Sequence, residues 1–294
     1  MRQIAILGPT ASGKTSLSIN LAEELNANIL SLDSLSIYKE IDIASAKPTL
    51  EERNGIKHFG IDVLHVNEKF NVTTFFKLYD QARKCSIKEK KNLIIVGGTG
   101  FYLKSMIDGV SYKPTLSAET RKKVAQHLKN GYEIMQKVDA SYAINISDSD
   151  SYRIEKWLEI YFETNTIPSQ FFQKNKKEPI IKDLELYEVY TDKKILKDRI
   201  SLRTQIMLDL GLIDEVFFLE SKYSRIPNPM RAIGIRETLS YLDGYISKTE
   251  LKEKIIINTT KLAKRQRTFN TSQFNKHTKA SATELHQIIS SYPS

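Results

Sequence analysis

Gly8-Pro9-Thr10-Ala11-Ser12-Gly13-Lys14-Thr15 is the stretch from which the rest of the chain is read. It fits the phosphate-binding pattern G-x-x-x-x-G-K-[ST]. The apolar run Ile4-Ala5-Ile6-Leu7 before it has the character of a buried parallel strand. After it, Leu17, Leu21 and Leu25 recur at helical spacing. Strand, glycine loop and helix is the context the motif requires. There the glycines let backbone N–H groups turn toward phosphate oxygens, and the helix N-terminus adds positive dipole. Lys14 brings a full charge to the terminal phosphate, and the Thr15 hydroxyl can sit on a Mg²⁺ ion. A glycine turn with a merely solvated lysine is the competing reading, and the flanking pattern weighs against it. The loop, through Gly8, Thr10, Ala11, Ser12, Gly13, Lys14 and Thr15, is expected to hold a di- or triphosphate, as in ATP-binding and other nucleotide-binding proteins.

The chain has 294 residues, 40% of them hydrophobic, enough for a sizeable core. Met1-Arg2-Gln3 leads directly into the first strand, so no N-terminal signal is expected. No apolar run approaches the ~20 residues of a membrane span. Cys85 is the single cysteine, which excludes an intrachain disulfide and a cysteine-rich metal site. A cytoplasmic protein without a membrane partner is expected. The net charge of +9 suggests a polyanionic partner, most often nucleic acid. A Lys-rich bias spread over a solvated surface is the alternative, so the location of the charge matters.

Asn28-Ile29-Leu30-Ser31-Leu32 reads as a second strand ending at Asp33-Ser34. The carboxyl ends of parallel strands line the ligand crevice, which places Asp33 beside the phosphate loop. Capping the next turn is its other possible role. Gly60 to Leu64 is strand-like, and a helix is expected from about 73 to 90, capped by Asn71 or Thr73. Asn92-Leu93-Ile94-Ile95-Val96 is a buried strand running into Gly97-Gly98-Thr99-Gly100. Many phosphate-loop ATPases end this strand in a Mg²⁺-holding Asp, and none stands here. From 113 to 183 the chain turns polar, helical and Lys-rich, with Arg121-Lys122-Lys123, Lys129, Lys174, Lys176, Lys177 and Lys182. Trp157, in a helical apolar pattern, is expected in the core of this insertion. A strand follows over 183–190, then a helix over 194–210 with Arg199 and Arg203 on one face. Those arginines either clamp phosphate or pair with surface carboxylates. Asn228-Pro229-Met230 reads as a loop, and the last long helix as 248–267, with Lys261, Lys264 and Arg265 on one face. No acidic residue occurs from Ile255 through Thr283, while basic residues interleave with Phe269 and Phe274, the pattern of a nucleic-acid surface. The expected fold is α/β, a P-loop NTPase-like doubly wound parallel sheet formed by 1–112 and 184–294, with 113–183 as an inserted helical domain.

In combination and order, these motifs resemble the tRNA dimethylallyltransferases, which prenylate N6 of the adenine next to the anticodon. The resemblance rests on the phosphate loop with its Pro9-Thr10-Ala11, Asp33-Ser34 with Tyr38, and Ala46-Lys47-Pro48. It continues through Phe70-Asn71-Val72, Gly97-Gly98-Thr99-Gly100-Phe101-Tyr102, Arg199 with Arg203, Gly211-Leu212, Gly234, Glu237 and Lys264-Arg265-Gln266-Arg267-Thr268. The chain departs from the family pattern at Ser36 (usually Gln), Ile235 (Tyr), Phe269 (Trp) and Lys156 (Arg). A zinc-finger extension is absent from the sequence, so a bacterial-type enzyme is expected.

The resemblance implies that the loop holds the diphosphate of dimethylallyl diphosphate, with Arg199, and that Mg²⁺ on Thr15 is the cofactor. It implies Asp33 as general base toward N6 at tRNA position 37, with Thr99 and Arg203 also catalytic. It implies tRNA contacts at Ser34, Leu35, Ser36, Tyr102, Arg121, Arg153, Lys156, Lys264, Arg265 and Arg267, with the enzyme acting as a monomer. A P-loop small-molecule or nucleoside kinase is the alternative. It would share the loop and often the Asp, and would not need the basic insertion or the acid-free C-terminal stretch.

Overall fold

A computed structural model describes residues 1–110, 114–175 and 178–291. They fall into two compact units, 1–105 with 181–294 and 106–180. The expected boundary at 112/113 lies outside the described residues, as do Lys176 and Lys177.

In the first unit, β1 (Gln3–Leu7) leads through the glycine loop into α1 (Lys14–Glu24), followed by β2 (Ala27–Ser31) and β3 (His58–Phe59). Next come α2 (Val72–Lys88), β4 (Asn92–Gly97) and α3 (Gly100–Asp108), whose last residues belong to the second unit. The strands lie in the order β3-β2-β4-β1, continuing through β5 (Glu185–Val189) to β6 (Thr278–Ala280), and every pairing is parallel. β1 is therefore central, with Leu7 in register with Gly97 on one side and Glu188 on the other. A central parallel strand is covered on both faces, which is why Ile4, Ala5, Ile6 and Leu7 form an unbroken apolar run. Ile4 and Ile6 pack with Leu17 and Leu21 of α1 and with Ile29, Ile94 and Tyr187.

The second unit is helical: α4 (Ala118–His127), α5 (Gly131–Val138), α6 (Ala140–Ala143), α7 (Ser151–Thr164) and α8 (Pro168–Lys174). Ser117 and Asp150 cap α4 and α7 through their side chains. Trp157 is 1% exposed in a core with Met135, Ile154 and Leu158. Its indole N–H donates to buried Asp139 at 3.2 Å, which also accepts the Ser169 N–H at 3.0 Å.

After β5, the first unit resumes with α9 (Lys193–Asp209), α10 (Leu212–Tyr223), a short 3₁₀ turn at Asn228–Arg231, α11 (Ile235–Leu242) and α12 (Lys248–Gln273). β6 and α13 (Ala282–Ser291) complete it. Three details differ from the sequence reading. No strand forms over 60–64: β3 ends at Phe59, Gly60 and Asp62 take left-handed backbone angles (φ 77° and 56°), and only Leu64 makes an isolated bridge, to Tyr38. α12 runs six residues past 267 and is followed by a sheet strand and a further helix. Thr278-Lys279-Ala280 has no apolar alternation and becomes a strand by pairing with β5. Asn228-Pro229-Met230, expected as an open loop, is a helical turn.

Candidate active site

The carboxyl ends of β1, β2, β4 and β5 gather the residues singled out by the sequence. The glycine loop is a tight turn in which the Ser12 N–H donates to Pro9 O at 3.2 Å. Gly13 sits at φ +90°, a conformation that side-chain-bearing residues rarely adopt, and directly caps α1. The Lys14 ammonium donates to Pro9 O at 3.0 Å. Arg203 donates to the Thr10 hydroxyl at 3.1 Å, and Arg199 to Ser12 O at 3.3 Å. Both arginines of α9 thus lie on the loop instead of in surface ion pairs. The buried Ser12 hydroxyl has no hydrogen-bond partner among the described residues. The Thr15 hydroxyl-bearing side chain is exposed at the mouth of the smallest of three cavities here.

Asp33 lies one residue beyond the buried Leu32 at the end of β2. Its Oδ1 accepts the N–H groups of Leu35 and Ser36 at 2.7 and 3.0 Å, so it caps the turn as well as facing the loop. Burial pushes the Lys14 ammonium down to about 8, with Arg203 adding to the effect and Asp33 opposing it. Burial likewise lowers the Arg203 pKa, again against the pull of Asp33. One carboxylate and two desolvated cations therefore share a single electrostatic neighbourhood without a direct ion pair among the described residues.

Three adjoining cavities share Arg203; one of about 500 Å³ lies against residues 42–53, and the other two are bordered by Asp33. Of these two, the smaller, about 80 Å³, is bordered by Lys14, Thr15, Asp33, Ser36 and Arg203. The larger, about 370 Å³, is bordered by Asp33, Ser34, Leu35, Thr99, Arg203 and Arg265. Thr10, Asp33, Ser45, Arg203 and Gln266 border both. Gln266 staples the site: its Oε1 accepts the Thr10 N–H at 2.9 Å, and its Nε2 would lie 2.2 Å from a Cβ at position 98. A side chain at position 98 would therefore displace the Gln266 amide from the loop. Arg231 and Arg236 also border the larger cavity and were missed, because lone arginines outside a motif carry no signal. In the sequence Gln266 stands out only as part of Lys264-Arg265-Gln266-Arg267-Thr268.

The other expected residues are placed as follows. Ser36 is 2% exposed, with its hydroxyl 3.2 Å from that of Ser31, and so faces inward, unlike Ser34. Tyr102 stacks on Phe75 at 5.4 Å and lines none of these cavities. Its hydroxyl is pushed up to about 12 by burial, then by Tyr38 and Asp33. Lys261, Lys264 and Arg265 are exposed along α12, and Arg267 is half-buried. The expected basic surface ends earlier than its sequence: Phe274 is buried, and Lys279 sits 3.3 Å from buried Glu188. The physical reason is β6, which draws that segment into the sheet edge. In the helical unit Arg121 is exposed, Arg153 pairs with Asp150 at 3.3 Å, and Lys156 pairs with Glu155 and Glu159. No group of three or more His, Cys, Asp or Glu residues that could hold a metal occurs among the described residues. None of their helices is long and apolar enough to cross a membrane.

A glycine loop between a central parallel strand and a helix, with a lysine and two arginines closing on it, defines a phosphate-binding α/β protein of the P-loop type. The family model described as IPP transferase matches residues 36–273. A tRNA dimethylallyltransferase of Sulfurovum sp. (strain NBC37-1) is 53% identical over 293 residues, covering 98% of this chain and 97% of the relative. That of Helicobacter pylori (strain J99 / ATCC 700824) is 46% identical over 289 residues, covering 97% and 92%. A crystallographically studied eukaryotic dimethylallyltransferase acting on tRNA superposes with a TM-score of 0.85 at 26% identity, over 97% of this chain and 75% of that one. The tRNA isopentenylpyrophosphate transferase of Staphylococcus epidermidis gives 0.70 at 31% identity, over 98% and 97%. The chain belongs to the IPP transferase family, that of the tRNA dimethylallyltransferases.

Proposed function

We propose that this protein transfers a dimethylallyl group from dimethylallyl diphosphate to N6 of the adenine at position 37 of tRNA, releasing diphosphate. The observation that carries this reading is the position of Asp33 between a cation-lined phosphate loop and a larger cavity bordered by Thr99 and by Arg265 of α12. The smaller cavity takes the diphosphate on Gly8 to Thr15, with Lys14, Arg203 and Arg199 around it. The N6 lone pair attacks C1 of the dimethylallyl group. The C1–O bond breaks, and its electron pair leaves on the diphosphate, whose growing charge Lys14 and Arg203 stabilise. The N6 proton passes to Asp33. Its Oδ1 is held by two backbone N–H groups, so Oδ2 is the oxygen that receives it. Thr99 borders the cavity for the base, which leaves the anticodon-loop stack to enter.

Mg²⁺ fits this site because the Thr15 side chain is exposed at the smaller cavity and a diphosphate supplies most of the oxygens such an ion needs. When bound, it would neutralise charge on the diphosphate. Residues 113–183, together with Lys264, Arg265 and Arg267, grip the RNA backbone, which makes affinity fall steeply with salt. The strand end Val96-Gly97-Gly98 lacks the carboxylate a nucleotide hydrolase uses, which weighs against a motor- or switch-type ATPase, and a kinase would not need the basic insertion or the acid-free stretch after Ile255. The test is incubation with unmodified tRNA, Mg²⁺ and labelled dimethylallyl diphosphate, with ATP as control. Label moving to tRNA supports the reading, and turnover of ATP with no label on tRNA overturns it.

A further inference from the structure

Three consecutive amides in the segment after β2 turn toward one point. Asp42 and Ile43 donate their N–H groups to Glu215 Oε2 at 2.9 and 2.7 Å, and Ala44 donates to Oε1 at 2.9 Å. Glu215 lies in the first turn of α10, where the helix dipole favours a carboxylate. Hydrogen bonds to a charged acceptor are about twice as strong as neutral ones, and three on one carboxylate orient both partners.

What this clamp holds is a wall of both cavities bordered by Asp33. Ala44 and Ser45 border the larger, and Ser45, Ala46, Lys47 and Pro48 the smaller. The segment is also closed on itself. The Ser45 hydroxyl donates to Ile41 O at 2.6 Å, and the Ala46 N–H to Ile43 O at 3.0 Å. The Lys47 ammonium donates to Tyr38 O at 3.0 Å and pairs with Asp42 at 2.7 Å and with Asp62. Residues 41–48 are therefore tied to one another by hydrogen bonds and an ion pair, and Glu215 ties them to α10. Only Leu210-Gly211 separates α10 from α9, which carries Arg203. Arg203 and the Ser45 wall border the same two cavities.

We propose that Glu215 is a positioning residue that sets the spacing between Arg203 and the 44–48 wall, and through it the affinity for the diphosphate-bearing donor. The proposal rests on the reading above that the smaller cavity takes the diphosphate. Glu215 touches no reacting atom, so its loss acts on donor binding more than on the chemical step. Glu215→Gln is isosteric. Its carboxamide oxygen still accepts two of the amides, while its NH₂ group meets the third N–H with no acceptor.

The expected result for Glu215→Gln is a donor KM raised about tenfold, which corresponds to the loss of roughly one charge-assisted hydrogen bond. The kcat falls by less than the donor KM rises, the tRNA KM stays near wild type, and amide hydrogen exchange at 42–44 accelerates. Glu215→Asp, charged but one methylene short, recovers part of the donor affinity. Calorimetry with inorganic diphosphate shows the same loss, so the clamp is read without turnover. Wild-type donor KM, diphosphate affinity and loop exchange in Glu215→Gln overturn the proposal. An equal loss of donor and tRNA affinity in both variants also overturns it, because that marks a general structural role. A wild-type protein that binds diphosphate yet transfers no label to tRNA overturns the functional reading instead, and leaves the clamp to be judged by diphosphate affinity and exchange alone.

Discussion

The two sets of cations in this molecule are held in opposite ways. Around the glycine loop, Lys14 and Arg203 are desolvated, and their donors rest on neutral oxygens, Pro9 O and the Thr10 hydroxyl. In the helical unit, Lys123, Arg153 and Lys156 are paired within their own helix or its cap, with Glu119, Asp150 and Glu159. The exposed pairs of Lys123 and Arg153 are weak, whereas Lys156 is held by the buried Glu159 carboxylate. A desolvated cation without a carboxylate partner is a standing cost that an anionic ligand relieves. On the proposed function, the first arrangement selects one small anion at a fixed place, and the second offers a diffuse surface to a long polyanion, with little preference for any one phosphate.

Breaking the first arrangement has the largest effects. Asp33→Asn is expected to lower kcat by about 10²–10⁴ while donor and tRNA affinity survive, as measured by single-turnover transfer. Loss of binding with normal single-turnover chemistry would assign Asp33 a different role. Arg203→Ala and Lys14→Ala are each expected to lower donor kcat/KM by about 10²–10³, since each removes a charge aimed at the leaving diphosphate.

The pH dependence sharpens the contrast. Lys14 is held down at about 8, so the free protein loses this ammonium as pH rises through that value. Because the donor binds the charged form, its kcat/KM is expected to fall about tenfold per pH unit above 8. The empty fold carries the opposite sign. Between about 8 and the ordinary value of 10.5 the unfolded chain binds the additional proton, so folded stability gains from Lys14 as pH rises. Denaturant titrations across that window, comparing wild type with Lys14→Met, test this.

In the second arrangement, Arg153→Ala is expected to weaken tRNA binding only a few-fold, uniformly across tRNA sequences, and to reduce the salt slope by about one. Filter binding at several salt concentrations measures it. Lys123→Ala, next to its i,i+4 partner Glu119, is expected to have the smallest effect, with transfer kinetics unchanged.

Much of the first arrangement was legible in advance, because it is local in sequence. Lys14 and Thr15 follow their glycines directly, and Asp33 stands at the end of an apolar strand. Arg199 and Arg203 were visible as a pair, although whether they met phosphate or surface carboxylates was not. The acid-free stretch after Ile255 was read as one RNA surface, and it proved to be three things: an exposed helix face, a buried Phe274 and a sheet edge. Charge counting cannot separate these, because Lys279 satisfies Glu188, some ninety residues earlier. The Gln266 staple and the Glu215 clamp were equally out of reach. Each joins a side chain to backbone amides far away in the chain, and backbone amides leave no trace in residue identity.

What the sequence by itself determined was the chemistry available: a phosphate loop, a carboxylate one strand away, a small-residue strand end and an excess of positive charge. Those properties follow from residue type and short spacing. Tertiary structure alone decided which cations face the loop and which are spent on neighbours, where the basic surface stops, and that α10 and α12 fix the walls of the site. The physical reason is burial. Desolvation and long-range hydrogen bonds arise only when distant segments pack, and they lower the Lys14 pKa and hold residues 42–44 against α10.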